Sequence, residues 1–235
     1  MLNTDQQSVL LFGGTMGRNK YPEQTVEKIL SVSSKLFVEK GYDKTSVQDI
    51  LDALGISKGG LYHHFKSKEE ILDAVIQRHT QHAMGMLYDL IQNTEARNVK
   101  EKLQKIILTF ATDTKTHEIN TVLSSQIKNP QFVVSGVQNS VNIDAPIIAK
   151  LIEEGNRDGS FQTDDPALCA EVFLLLSNTW INPILFNRDS TETERRLKYL
   201  QKMMRSLGVD IVTDELIAIS INEFERMGGF YLEKE

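Results

Sequence analysis

The residues best placed to do chemistry lie between Thr45 and Lys68, in the stretch TSVQDILDALGISKGGLYHHFKSK. Lys58, Gly59, Gly60, Tyr62, His63 and His64 make an odd surface for a packing helix. Their types suit an approaching polyanion. Lysine commonly pairs with guanine and glutamine with adenine in the DNA major groove, so Gln48, Lys58 and Gly59 are the candidates for base edges. Glycines at 59 and 60 leave room for something large to come near the backbone. Thr45 and Ser46 stand where a helix begins, and the open N–H groups there welcome a phosphate. His64 meets either a phosphate or the space behind the helix. Leu61 and Phe65 read as core.

Two short helices must position these side chains. Val47, Ile50, Leu51 and Leu54 repeat at the spacing of one buried helical face. Thr45 or Ser46 can cap that helix, and Gln48 can complete a capping box with Thr45. Gly55 sits where a left-handed C-cap is expected. Ser57 then caps a second helix, Lys58 to Phe65, which is too short to fold alone. This is the construction of a helix-turn-helix whose second helix enters a major groove. A first helix from Pro22 to Lys40, stopped by Gly41, supplies Val26, Ile29, Leu30, Ser33, Leu36 and Phe37 as the stripe that holds the pair. Ser67 and Glu70 form a capping box for a long fourth helix with Ile71, Leu72, Val75 and Ile76 on its apolar face. The pattern runs on through Met84, Leu87, Leu90 and Ile91, which predicts a rod of about 37 Å at the usual rise per residue. A helix of that length can belong to two domains.

From about Pro22 to Ile76 the chain resembles the TetR-type (tetracycline-repressor-like) family of bacterial transcription regulators. LFVEKGYDKTSV and DILDALGISKGGLYHHFKSKEEIL carry the resemblance. LIEEGNRDGSFQTDDPALCAEVFLLL, further on, looks more loosely like the seventh and eighth helices of family members. The resemblance implies that Tyr62, His63 and Lys68 meet phosphates and that Tyr42 is a packing aromatic. It implies a homodimer paired through two helices, at 166–182 and 191–207 here. It also implies an enclosed small-molecule effector, for which Met84, Met86, Tyr88, Phe110, Phe132, Phe173 and Trp180 are candidate lining residues. The plainer reading of that aromatic and methionine set is ordinary core.

The remainder reads as all-α. Leu103, Ile106, Ile107 and Phe110 mark a fifth helix, and Val122, Leu123 and Ile127 a short sixth, broken at Asn129-Pro130. Asp165-Pro166 starts a helix that is apolar nearly all round to Trp180, which favours burial against more than one neighbour. Pro183 kinks or ends it. Thr191 with Glu194 offers another capping box, followed by the stripe Leu197, Leu200, Met204 and Leu207. A last helix spans Asp214 to Arg226, stopped by Gly228-Gly229. The expected architecture is an N-terminal three-helix DNA-binding domain at 21–80, preceded by a flexible extension at 1–20. A helical effector-binding and dimerisation domain follows at 81–235. Met16 is a plausible initiator, and Arg18 and Lys20 are placed like a basic arm along DNA.

Composition is that of an ordinary globular chain: 235 residues, 40% hydrophobic, 25% charged. The net charge of −6 is unevenly spread: residues 1–80 carry 10 basic and 10 acidic side chains, and the rest carry 16 and 22. A DNA reader needs only a local basic surface, and Lys44, Lys58, Lys66 and Lys68 supply one. One cysteine, Cys169, excludes an internal disulfide framework and suits a reducing cytoplasm. It reads as a small buried residue. There is no run of apolar residues of membrane-spanning length. His79 and His82 are spaced to chelate a metal but lack a third ligand nearby, so no metal and no cofactor is expected. No metalloprotease, P-loop or catalytic-cysteine pattern is present, which argues against an enzyme. An adaptor that has lost DNA binding is argued against by the intact Lys58, Tyr62, His63 and Lys68. The sequence thus predicts a cytoplasmic, dimeric repressor of a palindromic operator, released by an effector.

Overall fold

A computed structural model describes residues 23–113, 126–127 and 129–230. The N-terminal extension with Arg18 and Lys20, and most of the expected sixth helix with Val122 and Leu123, lie outside them. All regular elements among the described residues are helical. α1 runs Glu23–Lys40, α2 Val47–Leu54, α3 Lys58–Tyr62, α4 Lys68–Asn93 and α5 Val99–Thr112. α6 is Pro130–Asn139, joined through a π turn at Ser140–Asp144 to α7, Ala145–Asp158. α8, Pro166–Leu175, ends in a second π turn, Leu176–Trp180. α9 is Pro183–Phe186, α10 Ser190–Ser206 and α11 Asp214–Arg226.

Two separate hydrophobic cores result. The first gathers Ile29, Leu30 and Phe37 of α1, Ile50, Leu51 and Leu54 of α2, Leu61 of α3, Phe65, and Ile71, Leu72 and Val75 of α4. The second contains Leu87 of α4, Leu103 and Ile106 of α5, the inner faces of α7 and α8, and Leu197, Leu200 and Met204 of α10. α4 is 26 residues long and is the element that gives buried side chains to both. Its middle turns are held to α1 by polar contacts: Arg78 pairs with Glu27 at 3.3 Å, and His79 Nε2 lies 3.4 Å from the Ser34 hydroxyl.

Several helix ends differ from the sequence reading. α2 is capped by Ser46, whose hydroxyl accepts from the Asp49 N–H while the Asp49 carboxylate accepts from the Ser46 N–H. The capping box is therefore Ser46–Asp49, and Gln48 instead donates to Asp52 at 2.7 Å. α3 stops at Tyr62, short of the expected Phe65, because the chain bends there to bury Phe65. α10 begins at Ser190 under Asp189, which accepts from the Glu192 N–H; Thr191 lies inside the helix. Ser67 caps α4 as expected, but Glu70 reaches back to the Lys66 N–H, one residue before the cap.

The second core is closed by two crossing loops. Gln162 N–H donates to Gly208 carbonyl at 3.0 Å, and Val209, Ile211 and Val212 are buried beyond it. Gly208 has φ +78°, and a Cβ there would fall 1.8 Å from the Gln162 carbonyl oxygen. Gly55, at the helix-turn-helix corner, also has a left-handed φ of +65°, but a Cβ there would meet nothing within 4 Å. The two positions separate backbone strain from steric conflict. Gly55→Ala should cost about 1 kcal/mol, whereas Gly208→Ala should cost more than about 2 kcal/mol because the Gln162 backbone must also move. Denaturant unfolding of both variants checks the order.

Candidate nucleic-acid interface

α3 has five residues and buries one side chain, Leu61. Burial of that leucine is worth roughly 1.5–3 kcal/mol, which a helix of this length cannot supply by itself. Ser57 caps it by accepting from the Gly60 N–H at 3.2 Å. Everything else on it faces outward. Lys58, Gly59, Gly60 and His63 are exposed, Tyr62 is 42% exposed, and His64 is half-buried. Lys58 Nζ lies 5.7 Å above the Tyr62 ring, and the His63 and His64 rings meet edge to face at 5.5 Å. A Cβ at Gly59 would meet nothing within 4 Å, and one at Gly60 only ordinary contacts. Nothing inside the molecule calls for glycine at either position, although each weakens the helix by about 1 kcal/mol relative to alanine.

The scaffold behind this surface is polar and specific. Lys40 Nζ meets Asp49 at 2.6 Å, pinning the start of α2 to the end of α1. The Lys40 ammonium, with the Ser46 hydroxyl and N–H, holds the Asp49 carboxyl well below the usual carboxylate range. Lys68 Nζ donates to the carbonyls of Tyr42 and Thr45, both at 2.9 Å, and lies 4.2 Å above the Tyr42 ring. The Tyr42 ring packs edge-on against Phe37 at 5.2 Å. Burial first, then the neighbouring Glu69 carboxylate, pushes the Tyr42 hydroxyl up to about 12. Lys68 thereby ties the first residue of α4 to the loop between α1 and α2.

Two of the side chains expected to meet phosphates are engaged within the molecule. Thr45 is 1% exposed, and its hydroxyl donates to the Leu36 and Gly41 carbonyls, so its side chain faces the core. Lys68 spends two of its three donors on the loop, and its first role is to fasten the fold. Ser46 stays exposed at the α2 N-terminus, with its hydroxyl on Asp49. Gln48 is exposed on α2, and its amide N–H is turned to Asp52. Asp49 and Lys40 were not singled out from the sequence. The Ser46-x-x-Asp49 spacing was a signal for the former, masked by the overlapping Thr45-x-x-Gln48.

The candidate effector residues are spread between the second core and the surface. Phe173 is buried in the second core, and Phe110 and Trp180 pack on its edge. Met84 and Phe132 are half-buried outside both cores. Tyr88 is 52% exposed and falls on the far side of α4 from an open groove of about 440 Å³. That groove is lined by His82, Gly85, Met86, Asp89, Leu90 and Asn93, of which Met86 alone belongs to the candidate effector set. Cys169 is buried as expected, with the Thr163 hydroxyl 3.0 Å from its sulfur. Among the described residues no three His, Cys, Asp or Glu side chains are grouped to hold a metal, and no helix is long and apolar enough to cross a membrane.

Residues 29–75 match the model of the tetR family of bacterial regulatory proteins. The HTH-type transcriptional repressor KstR2 of Mycolicibacterium smegmatis is 27% identical over 147 residues, 61% of this chain and 70% of that protein. The HTH-type transcriptional activator FasR of the same species is 34% identical over 83 residues, covering 35% and 38% of the two chains. A transcriptional regulator from Cytophaga hutchinsonii superposes with a TM-score of 0.61 at 20% identity, over 81% of this chain and all of that one. Salmonella enterica GusR gives 0.57 at 22%, over 81% and 99%. At those identities the superpositions speak for the fold.

Lys68 and Lys58 should separate in a stability measurement. Lys68→Met removes two charge-assisted bonds and should lower stability by about 2 kcal/mol. Lys58→Ala should leave the unfolding midpoint unchanged. Thermal unfolding of the two variants checks this, and equal midpoints would return Lys68 to a purely surface role.

Proposed function

We propose, from the premise that the chain is a TetR-type transcriptional regulator, that it is a ligand-responsive repressor which binds a palindromic operator as a homodimer. The observation that carries this reading is the outward face of α3. It presents Lys58, Tyr62 and His63 around two glycines that no internal contact requires. Such a surface fits the floor of a major groove, where backbone and base edges must come close. In this reading residues 21–80 are the DNA-binding head and 81–235 the effector and dimerisation domain. Lys58, Gly59 and Gln48 read base edges; Gly60 admits the backbone. Tyr62, His63, His64 and Ser46 hold phosphates, with Lys68 offering its remaining donor.

The dimer reading is supported by α8 and α10. α8 is apolar nearly all round, with Glu171 its one charged residue, and packing on α7 covers only part of it. Leu168 on α8 is 56% exposed and Tyr199 on α10 is 57% exposed, beside a half-buried Trp180 whose ring meets Tyr199 at 6.5 Å. Exposed aromatics beside apolar helices are the composition of an interface centre. A two-fold pair would place two α3 helices in successive major grooves roughly 34–36 Å apart. The effector would act through α4. A ligand that prefers one position of Leu87 against the second core shifts the helix whose other end carries the head.

Selection of bound sites from a random DNA pool should recover a palindrome. Lys58→Ala should relax preference at one base pair per half-site by roughly 1–3 kcal/mol, while Tyr62→Phe should weaken all sites alike, with affinity falling steeply with salt. An unenriched pool would refute the operator reading. The double variant Leu168→Glu with Tyr199→Glu should sediment as a monomer with unchanged helicity. A dimer that survives it would move the interface elsewhere.

A further inference from the structure

Two helices in the second core each contain one π turn, and the two turns are tied together. In Ser140–Asp144 the Ala145 N–H donates five residues back, to the Ser140 carbonyl. In Leu176–Trp180 the Ile181 N–H does the same to Leu176. Each turn is followed within three residues by proline, Pro146 or Pro183, which cannot donate a helical bond. Asn178 Nδ2 donates to the buried Ser140 hydroxyl at 3.1 Å and so joins them. π turns are rare and collect at functional sites.

Asp144 lies one turn beyond Ser140, on the same inward stripe that continues through the buried Ile148, Leu151 and Gly155. Its carboxylate caps no backbone N–H, and no hydrogen bond or ion pair reaches it among the described residues. Burial pushes its carboxyl above the ordinary aspartate range, with nothing opposing the shift. Among the described residues of the elements packed around it, Lys100 pairs with Asp210, Lys105 pairs with Glu101 and Arg188 donates to the Trp180 carbonyl, while Lys150 and Arg157 are exposed. An unpaired, partly desolvated carboxylate weakens the chain that carries it unless something outside the chain completes it.

We propose that Asp144, with Ser140 and Asn178 beside it, receives the charged head of a small organic cation: an ammonium group on an apolar body that lies against the second core. This rests on the reading of residues 81–235 as an effector domain, and it assigns that domain the charge class of its ligand. The cation supplies the missing counter-charge, the Ser140 hydroxyl and Asn178 amide complete the polar wall, and Ile148 and Phe173 belong to the apolar cluster around it.

The test is calorimetric titration of the full-length protein at neutral pH with three eight-carbon probes: octylammonium, octanol and octanoate. Octylammonium should bind roughly tenfold or more tighter than octanol, as expected for one charge-assisted contact, with octanoate weakest. Asp144→Asn should abolish that preference and leave octanol binding intact, which also reports that the variant folds. Binding of octanol or octanoate with no advantage for the cation would overturn the proposal while leaving the effector domain in place. Binding of none of the three would overturn it as well. The unliganded protein gives a second readout. Asp144→Asn should raise its melting temperature, and a fall would show that the carboxylate is already satisfied within the chain.

Discussion

An α-helix resists bending through its whole ladder of hydrogen bonds, so a helix built into two cores carries position from one to the other. α4 is such a rod. Ile71, Leu72 and Val75 fix one end among α1, α2 and α3, and Leu87 fixes the other against α5 and its neighbours. Between them the helix meets α1 through Arg78–Glu27 and His79–Ser34, contacts that are polar and partly solvated. Apolar interlocking defines the ends, while the middle is held by groups that water can replace. A rigid rod with firm ends and a soft middle favours movement as a unit over local yielding.

The head depends on polar fastenings as much as on its core. α3 is too short to persist without Leu61, and the angle at which it is offered is set by α2 and the loop before it. That loop is held by Lys68 through the Tyr42 and Thr45 carbonyls, and by Thr45 itself through the end of α1. Lys40 on Asp49 closes the remaining side. The N-terminus of the rod and the base of the reading surface are therefore one hydrogen-bonded unit.

Periodicity made most of this legible. The inner faces of α1, α2 and α4, the start of α8 at Asp165-Pro166 and the bounds of α11 at Asp214 and Arg226 all stand where apolar spacing and helix punctuation put them. Two kinds of feature were not legible. Overlapping caps differ by one residue, and only tertiary contact decides: Thr45 is drawn inward by the Leu36 and Gly41 carbonyls, which leaves Ser46 to cap. The same holds for Asp189 over Thr191. The fastening role of Lys68 is hidden in the sequence because spacing says nothing of carbonyls 23 and 26 residues away. The facing of scattered aromatics was equally hidden, as Tyr88 shows. Pro183 reads as a break, and so by its residue type would Pro146, yet Pro146 is absorbed by a π turn within a continuing helix.

The single inward side chain of α3 has a consequence for how such a molecule changes over generations. Of its five residues only Leu61 is committed to the fold. Lys58, Gly59, Gly60 and Tyr62, with His63 just beyond, contribute to no core. If that surface reads DNA as proposed, substitutions there alter what is read without altering what folds. The vocabulary of the surface can drift, one position at a time, on a scaffold that need not be re-solved at each step, and a duplicated copy of the chain is a short mutational walk from a different target.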